Sequence, residues 1–136
     1  MNSKLHHIGI ACKSIKVTAE FYIQLGYKLS EIVFDPIQKV NIAFLTKINE
    51  TCIELIEPFD DNSPINTILK KNGTSPYHLC FEVDNIESAI DDMKLQKFLK
   101  IGKVEFASAM NNGKICFMYS KDKGLIELYE PSELSN

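Results

Sequence analysis

The segment Ile53-Glu54-Leu55-Ile56-Glu57-Pro58 returns 73 residues later as Ile126-Glu127-Leu128-Tyr129-Glu130-Pro131, with one position changed. An earlier segment, His7-Ile8-Gly9-Ile10, returns 71 residues later as His78-Leu79-Cys80-Phe81, with the histidine kept. Similarity at a nearly constant spacing indicates an internal repeat. The chain of 136 residues is therefore predicted to contain two related modules.

Each module is predicted to run strand, helix and then three strands. Apolar side chains alternate in the strand segments, and Ile15, Ala19 and Tyr22 follow helical spacing up to Gly26. Asp84 and Glu87 predict the capping box that starts the second module's helix. The predicted strands are 5–11, 28–34, 39–46 and 51–57, then 77–83, 98–106, 113–119 and 125–130.

The chain is predicted to form one domain over residues 1–136. Its first module covers about 4–58, a linker covers 59–74, and the second module covers about 75–131. Within the linker, Asn62-Ser63-Pro64 predicts the start of a short helix that ends at Gly73.

Composition excludes several classes of protein. With 45% apolar residues the chain can bury a core, and its net charge of −3 gives no reason to expect nucleic acid or an anionic membrane as partner. No segment resembles a leader or a membrane span, so a cytoplasmic protein is expected. The four cysteines lie far apart in sequence, which favours reduced thiols.

The two histidine strands are predicted to turn their less bulky face toward a cavity. His7 shares a face with Gly9 and Ala11, because side chains in a strand alternate between its two sides. His78 likewise shares a face with Cys80 and Glu82. The aliphatic residues between them suit packing under a helix.

A carboxylate follows each histidine at a similar distance along the chain. Glu54 and Glu127 both lie between aliphatic residues in a strand, where a buried charge is costly without a partner. One divalent cation would neutralise both carboxylates and accept two imidazole nitrogens. His7, Glu54, His78 and Glu127 are therefore predicted to bind one metal ion.

Four other ionisable residues near these positions receive weaker predictions. His6 lies on the opposite face from His7 and is assigned no role. Glu57 and Glu130 also repeat, but they alternate away from the predicted ligands, so solvent exposure is expected. Glu82 shares a face with His78, so a position inside the cavity stays open, but a position at its rim is the favoured interpretation.

With these residues the sequence resembles the vicinal-oxygen-chelate superfamily, which includes glyoxalase I, methylmalonyl-CoA epimerase and ring-cleaving dioxygenases. The resemblance covers nearly the whole chain. It implies an α+β glyoxalase-like fold, with two tandem β-α-β-β-β modules forming a curled mixed sheet around a metal, often in a homodimer. The family's four ligand positions fall on His7, Glu54, His78 and Glu127.

Two branches of the family compete. The ligand set His, Glu, His, Glu is similar to that of bacterial glyoxalase I, whereas the surrounding segments look more like the epimerases. Departures from the epimerase pattern are Glu54 in place of glutamine, Ile42 in place of a second acid, Tyr119-Ser120-Lys121 in place of His-Pro-Lys, and a short Asn111-Asn112-Gly113 loop. Glyoxalases, in turn, often hold glutathione with arginine, and all fifteen basic residues here are lysine.

The expected chemistry is removal of a proton from the carbon next to a carbonyl, with Glu127 as first candidate base and Glu54 as its symmetry mate. Because Ile42 is apolar, only these two acid–base groups are evident, which favours glyoxalase I-type isomerisation of a thiol–methylglyoxal adduct. Epimerisation of methylmalonyl-CoA or a related acyl thioester is the first alternative, and a non-enzymatic binding or resistance protein is the second. The resemblance favours nickel or cobalt, with zinc, manganese and iron also acceptable, and leaves the substrate-binding residues unassigned.

Overall fold

The computed structural model of the protein describes residues 1–133. It contains two compact units. The first unit spans His7–Tyr77, and the second combines residues 1–6 with the chain from His78 onward.

The observed elements confirm the predicted order of strand, helix and three strands in each module. The one difference is that the segment predicted as 28–34 forms two short strands instead of one. In chain order the elements are β1 Ser3–Ala11, α1 Ile15–Gln24, β2 Lys28–Leu29, β3 Val33–Asp35, β4 Val40–Thr46, β5 Cys52–Pro58, α2 Asn66–Asn72, β6 Ser75–Val83, α3 Ile86–Leu95, β7 Leu99–Ala107, β8 Gly113–Ser120 and β9 Gly124–Glu130.

The first unit is a mixed sheet with α1 on one face. Its strands lie in the order β2, β4, β5 and β1, with β3 also paired to β4. β1 runs parallel to β5, and the other pairs are antiparallel. Ile15 and Ala19 of α1 pack against Ala43, Leu45 and Leu55 of the sheet. The face that lies away from the helix carries His7 and Glu54.

The second unit repeats this arrangement with α3. Its strands lie in the order β6, β9, β8 and β7, and β6 is parallel to β9. Ile86, Ile90 and Met93 of α3 pack against Met118 and Leu128. The predicted helical stripe is thus buried, as its spacing of three and four residues requires.

Two predicted helix starts are displaced from the observed ones, that of α3 by one residue and that of α2 by two. The cap of α3 is Asn85, whose side chain accepts the Ser88 N–H at 2.9 Å, rather than Asp84. α2 begins at Asn66, because the Ser63 hydroxyl instead accepts the N–H groups of Phe59 and Asp60 in the preceding turn. Side chains of this kind cap turns as readily as helices.

The predicted solvent exposure of Glu57 and Glu130 is also wrong. Both are only partly exposed, and both reach the start of a helix. Glu57 Oε1 accepts the Ile15 N–H at 2.7 Å, and Glu130 Oε1 accepts the Ile86 N–H at 2.9 Å. The first N–H groups of a helix have no partner within the helix and favour negative charge. The second glutamate of each repeated segment therefore fastens a helix to the sheet.

A lysine fastens the other end of each of these helices. Lys47 Nζ donates to the Leu25 carbonyl at 2.8 Å and lies 5.5 Å from the centre of the Tyr27 ring. Lys123 Nζ donates to the Gln96 carbonyl at 2.7 Å and lies 5.7 Å from the centre of the Phe98 ring. A cation near the last carbonyls of a helix is favourable.

The four cysteines are thiols, as predicted, and form no disulfide. Burial raises the pKa of the Cys12 and Cys52 thiols to about 11, so both are protonated at neutral pH. Across residues 1–133, none of the helices has the length and apolar character needed to cross a bilayer.

Candidate functional site

In the first unit, His7 and Glu54 form a buried pair on neighbouring parallel strands. Glu54 lies opposite Gly9, two residues along β1 from His7, so both side chains project from the same face of the sheet. His7 Nε2 lies 3.2 Å from Glu54 Oε1, and both residues are buried.

The second unit contains the same pair in the same register. Glu127 lies opposite Cys80, two residues along β6 from His78. His78 Nε2 lies 3.2 Å from Glu127 Oε1, and both residues are again buried. The repeat seen in the sequence is therefore also a repeat of side-chain geometry.

A phenylalanine joins each pair, and its role was missed in the sequence. Phe44 lies directly opposite Glu54 in β4, with its ring 5.6 Å from that of His7 and nearly perpendicular to it. Phe117 lies opposite Glu127 in β8, with its ring 5.4 Å from that of His78 at 90°. The signal that could have found them is their spacing of 73 residues, the same as between the glutamates.

The donor set fits a divalent metal. All four residues are candidate metal ligands, and they offer imidazole nitrogens and carboxylate oxygens, which Zn²⁺ and other first-row ions accept. Within each unit the nitrogen and oxygen are 3.2 Å apart. Two atoms that bind one ion at about 2.1 Å are expected at roughly this separation. A buried carboxylate also needs neutralising charge, which a dication supplies.

The remaining residues singled out from the sequence lie elsewhere. Glu82 forms an ion pair with Lys4 at 3.3 Å and is partly exposed, and its position at the rim of the predicted cavity stays a prediction. The His6 ring packs edge-on against Tyr129 at 4.9 Å. Ile42 is buried opposite Ile56, so this position supplies no acid–base group.

Residues 6–117 match the family model described as the Glyoxalase/Bleomycin resistance protein/Dioxygenase superfamily. The mitochondrial methylmalonyl-CoA epimerase of Mus musculus is 34% identical over 92% of this chain and 71% of its own length. An ethylmalonyl-CoA/methylmalonyl-CoA epimerase of Cereibacter sphaeroides is 31% identical over 90% of this chain and 92% of its own length.

A solved structure, the methylmalonyl-CoA epimerase of Mycobacterium tuberculosis, is 28% identical and covers 96% of this chain and 89% of that one, with a TM-score of 0.85. The predicted fold is confirmed by this likeness, since the mixed sheet with three helices matches the glyoxalase-like fold.

These comparisons overturn the expected glyoxalase I-type isomerisation. The lactoylglutathione lyase of Schizosaccharomyces pombe is only 27% identical, and the match spans 48% of its length. The expectation depended on the ligand set and on Ile42, two local features, whereas the similarity over the whole chain favours the epimerases. The expected nickel, the methylglyoxal adduct and the lyase class are no longer favoured.

Proposed function

Because this chain belongs to the Glyoxalase/Bleomycin resistance protein/Dioxygenase superfamily, we propose that it is an epimerase of 2-substituted malonyl-CoA thioesters, with methylmalonyl-CoA as the reference substrate. The epimerase relatives at 31% and 34% identity support the substrate class. The single observation that carries the proposal is the buried His–Glu pair in each unit, built in the same register. A single domain and a homodimer remain predictions.

We propose that His7, Glu54, His78 and Glu127 hold one divalent metal ion between them. The support is their burial, their repeated geometry and the donor types they offer. When bound, a divalent metal is a Lewis acid that stabilises negative charge developing on a carbonyl oxygen. Nitrogen and oxygen donors accept several divalent ions, so the ion is to be identified by elemental analysis.

Epimerisation requires a proton to leave the carbon next to the thioester on one face and to return on the other. We propose that Glu127, as the ionised carboxylate, removes the proton while Glu54, in its protonated form, returns one on the other face. For the opposite enantiomer the two protonation states are exchanged. An ionised carboxylate accepts a proton directly, and burial keeps bulk water from competing for it. Two such groups provide both bases without an acid at Ile42.

The phenylalanines are proposed to orient the imidazoles. Phe44 and Phe117 each contact a histidine ring edge to face. Contacts of this geometry restrict rotation of a ring and are favourable. The imidazole Nε2 atoms thereby keep their direction toward the neighbouring carboxylates.

The test is exchange of the α-proton of methylmalonyl-CoA in deuterated water, followed by mass spectrometry, with metal-loaded protein. We expect deuterium at the α-carbon and interconversion of the two enantiomers. Glu127→Gln is expected to lower the rate at which the two enantiomers interconvert by about 10²–10⁴-fold. The matched control is Glu130→Gln on the same strand, which keeps the oxygen that accepts the Ile86 N–H and is expected to turn over normally.

Absence of both exchange and interconversion with metal-loaded wild-type protein would contradict the epimerase proposal. Normal turnover by Glu127→Gln would instead remove Glu127 from the mechanism.

A further inference from the structure

A stripe of apolar side chains runs outward from Glu127 on its own face of the second unit's sheet. Glu127 is paired with Phe117 in β8, and Phe117 is paired with Ile101 in β7. In the next row, Tyr119 lies between Leu125 and Leu99. Residues paired directly across neighbouring strands project from the same face. These five side chains are called the apolar stripe.

Three of the five side chains in the apolar stripe are exposed, and Phe117 and Leu125 are partly exposed, in contrast to the opposite face of the same strands. Leu99 is 68% exposed, Ile101 49% and Tyr119 43%. Met118 and Leu128, which alternate with stripe residues along β8 and β9, are buried under α3. The stripe therefore lies outside the hydrophobic core, and apolar side chains held in the open beside a buried carboxylate need another explanation.

In the first unit, the positions that correspond to the outer part of the stripe are polar. Phe44, the counterpart of Phe117, is bonded on its outer side to Ser30, whose hydroxyl accepts the Phe44 N–H at 2.8 Å. In the next row, Thr46 is paired with Lys28. The repeat thus keeps histidine, glutamate and phenylalanine but replaces the aliphatic outer residues with polar ones.

We propose that the apolar stripe binds the aliphatic substituent on the α-carbon of the substrate, and that it accepts substituents longer than methyl. This inference rests on the proposed epimerase function and narrows its substrate class to 2-alkylmalonyl-CoA thioesters. The substituent must lie near the base that removes the neighbouring proton, and the stripe begins at the residue paired with Glu127. Burial of one methylene group of the substrate against apolar side chains raises the binding affinity about fourfold.

The experiment compares kcat/KM for methylmalonyl-, ethylmalonyl- and propylmalonyl-CoA. We expect wild-type protein to turn over all three, with the longer substituents at least equal to methyl. Ile101→Ser and Leu99→Ser are expected to lower the propyl-to-methyl ratio of kcat/KM about tenfold, since several methylene contacts are lost. The matched control is Leu95→Ser at the end of α3, because Leu95 is 80% exposed and does not belong to the stripe. The propyl-to-methyl ratio of kcat/KM is expected to be the same in this variant as in wild type.

Two outcomes would overturn the inference while leaving the epimerase proposal intact. One is turnover of methylmalonyl-CoA alone by wild-type protein. The other is a propyl-to-methyl ratio that is the same in wild type, Ile101→Ser and Leu99→Ser. If that unchanged ratio came with a change of oligomeric state in the stripe variants but not in Leu95→Ser, the stripe would be assigned to a second copy of the chain. No turnover of any malonyl-CoA thioester would instead count against the epimerase proposal itself.

Discussion

The two units have the same inner residues and different outer ones. Each has a buried histidine and glutamate with a partly exposed phenylalanine in the same register. Each also has a second glutamate at a helix start and a lysine at the helix end. Beyond the phenylalanine, the first unit presents Ser30 and Lys28, and the second presents Ile101 and Leu99. The groups expected to bind a metal and move protons are therefore repeated, whereas the groups that would contact an asymmetric substrate are not.

Substitution of either predicted base is expected to change activity most and to show which face of the substrate each glutamate contacts. Glu54→Gln and Glu127→Gln should each lower epimerisation about 10²–10⁴-fold, because one of two proton-transfer groups is lost. Each variant should still exchange the α-proton of one enantiomer with deuterated water, and the surviving enantiomer should differ between them. Mass spectrometry of each pure enantiomer measures this. Exchange surviving for the same enantiomer in both variants would contradict the assignment of opposite faces.

A second test asks whether the two pairs share one ion. Wild-type protein should bind one divalent ion per chain, and His7→Ala and His78→Ala should each weaken binding more than about 100-fold, since loss of outer contacts alone costs 10–100-fold. Elemental analysis and thermal unfolding with and without a chelator measure this. If each pair bound its own ion, wild type would hold two ions per chain and each variant would keep one.

The helix starts offer a smaller effect on stability. Glu57→Ala and Glu130→Ala should each lower the free energy of unfolding by about 1–2 kcal/mol, because a helix N–H loses its acceptor. Glu57→Ala should lower the free energy of unfolding by more, since Glu57 also accepts a hydrogen bond of 2.9 Å from the Asn41 side-chain N–H. Glu130 instead forms a longer ion pair with Lys114, at 3.8 Å. Urea unfolding measures both, with the glutamine variants as controls. A larger loss in Glu130→Ala would reverse this ranking.

The smallest effect concerns the helix ends. Lys47→Met and Lys123→Met keep the aliphatic stem and remove the charge, so each should lower the free energy of unfolding by about 0.5 kcal/mol. Both lysines are exposed to solvent, which limits the contribution of their charge to the free energy of unfolding. Lys121→Met, at another exposed lysine, is the control and should have no effect in the same urea experiment. Equal stability of all three variants and wild type would assign no energetic role to these contacts.

Local sequence patterns predicted most of the helices and strands. The predicted helix starts were wrong where several neighbouring side chains could accept the same hydrogen bond. The alternation around His7 and His78 correctly assigned each side chain to a face, because the period of a strand is fixed at two. Asn85 rather than Asp84 caps α3, because neighbouring polar side chains offer the same acceptor and the backbone geometry selects one. The metal-binding and catalytic roles of the four predicted residues remain predictions.

Spacing along the chain is enough to predict the repeat, the order of the elements and the face on which each histidine and glutamate lies. Three features are visible only in the folded protein: Glu57 and Glu130 reach helix starts, Phe44 and Phe117 contact the histidines, and an apolar stripe extends from Glu127. Those contacts join residues that are distant in sequence. They depend on strand register, which is set by hydrogen bonds between strands and by the burial of one face of the sheet.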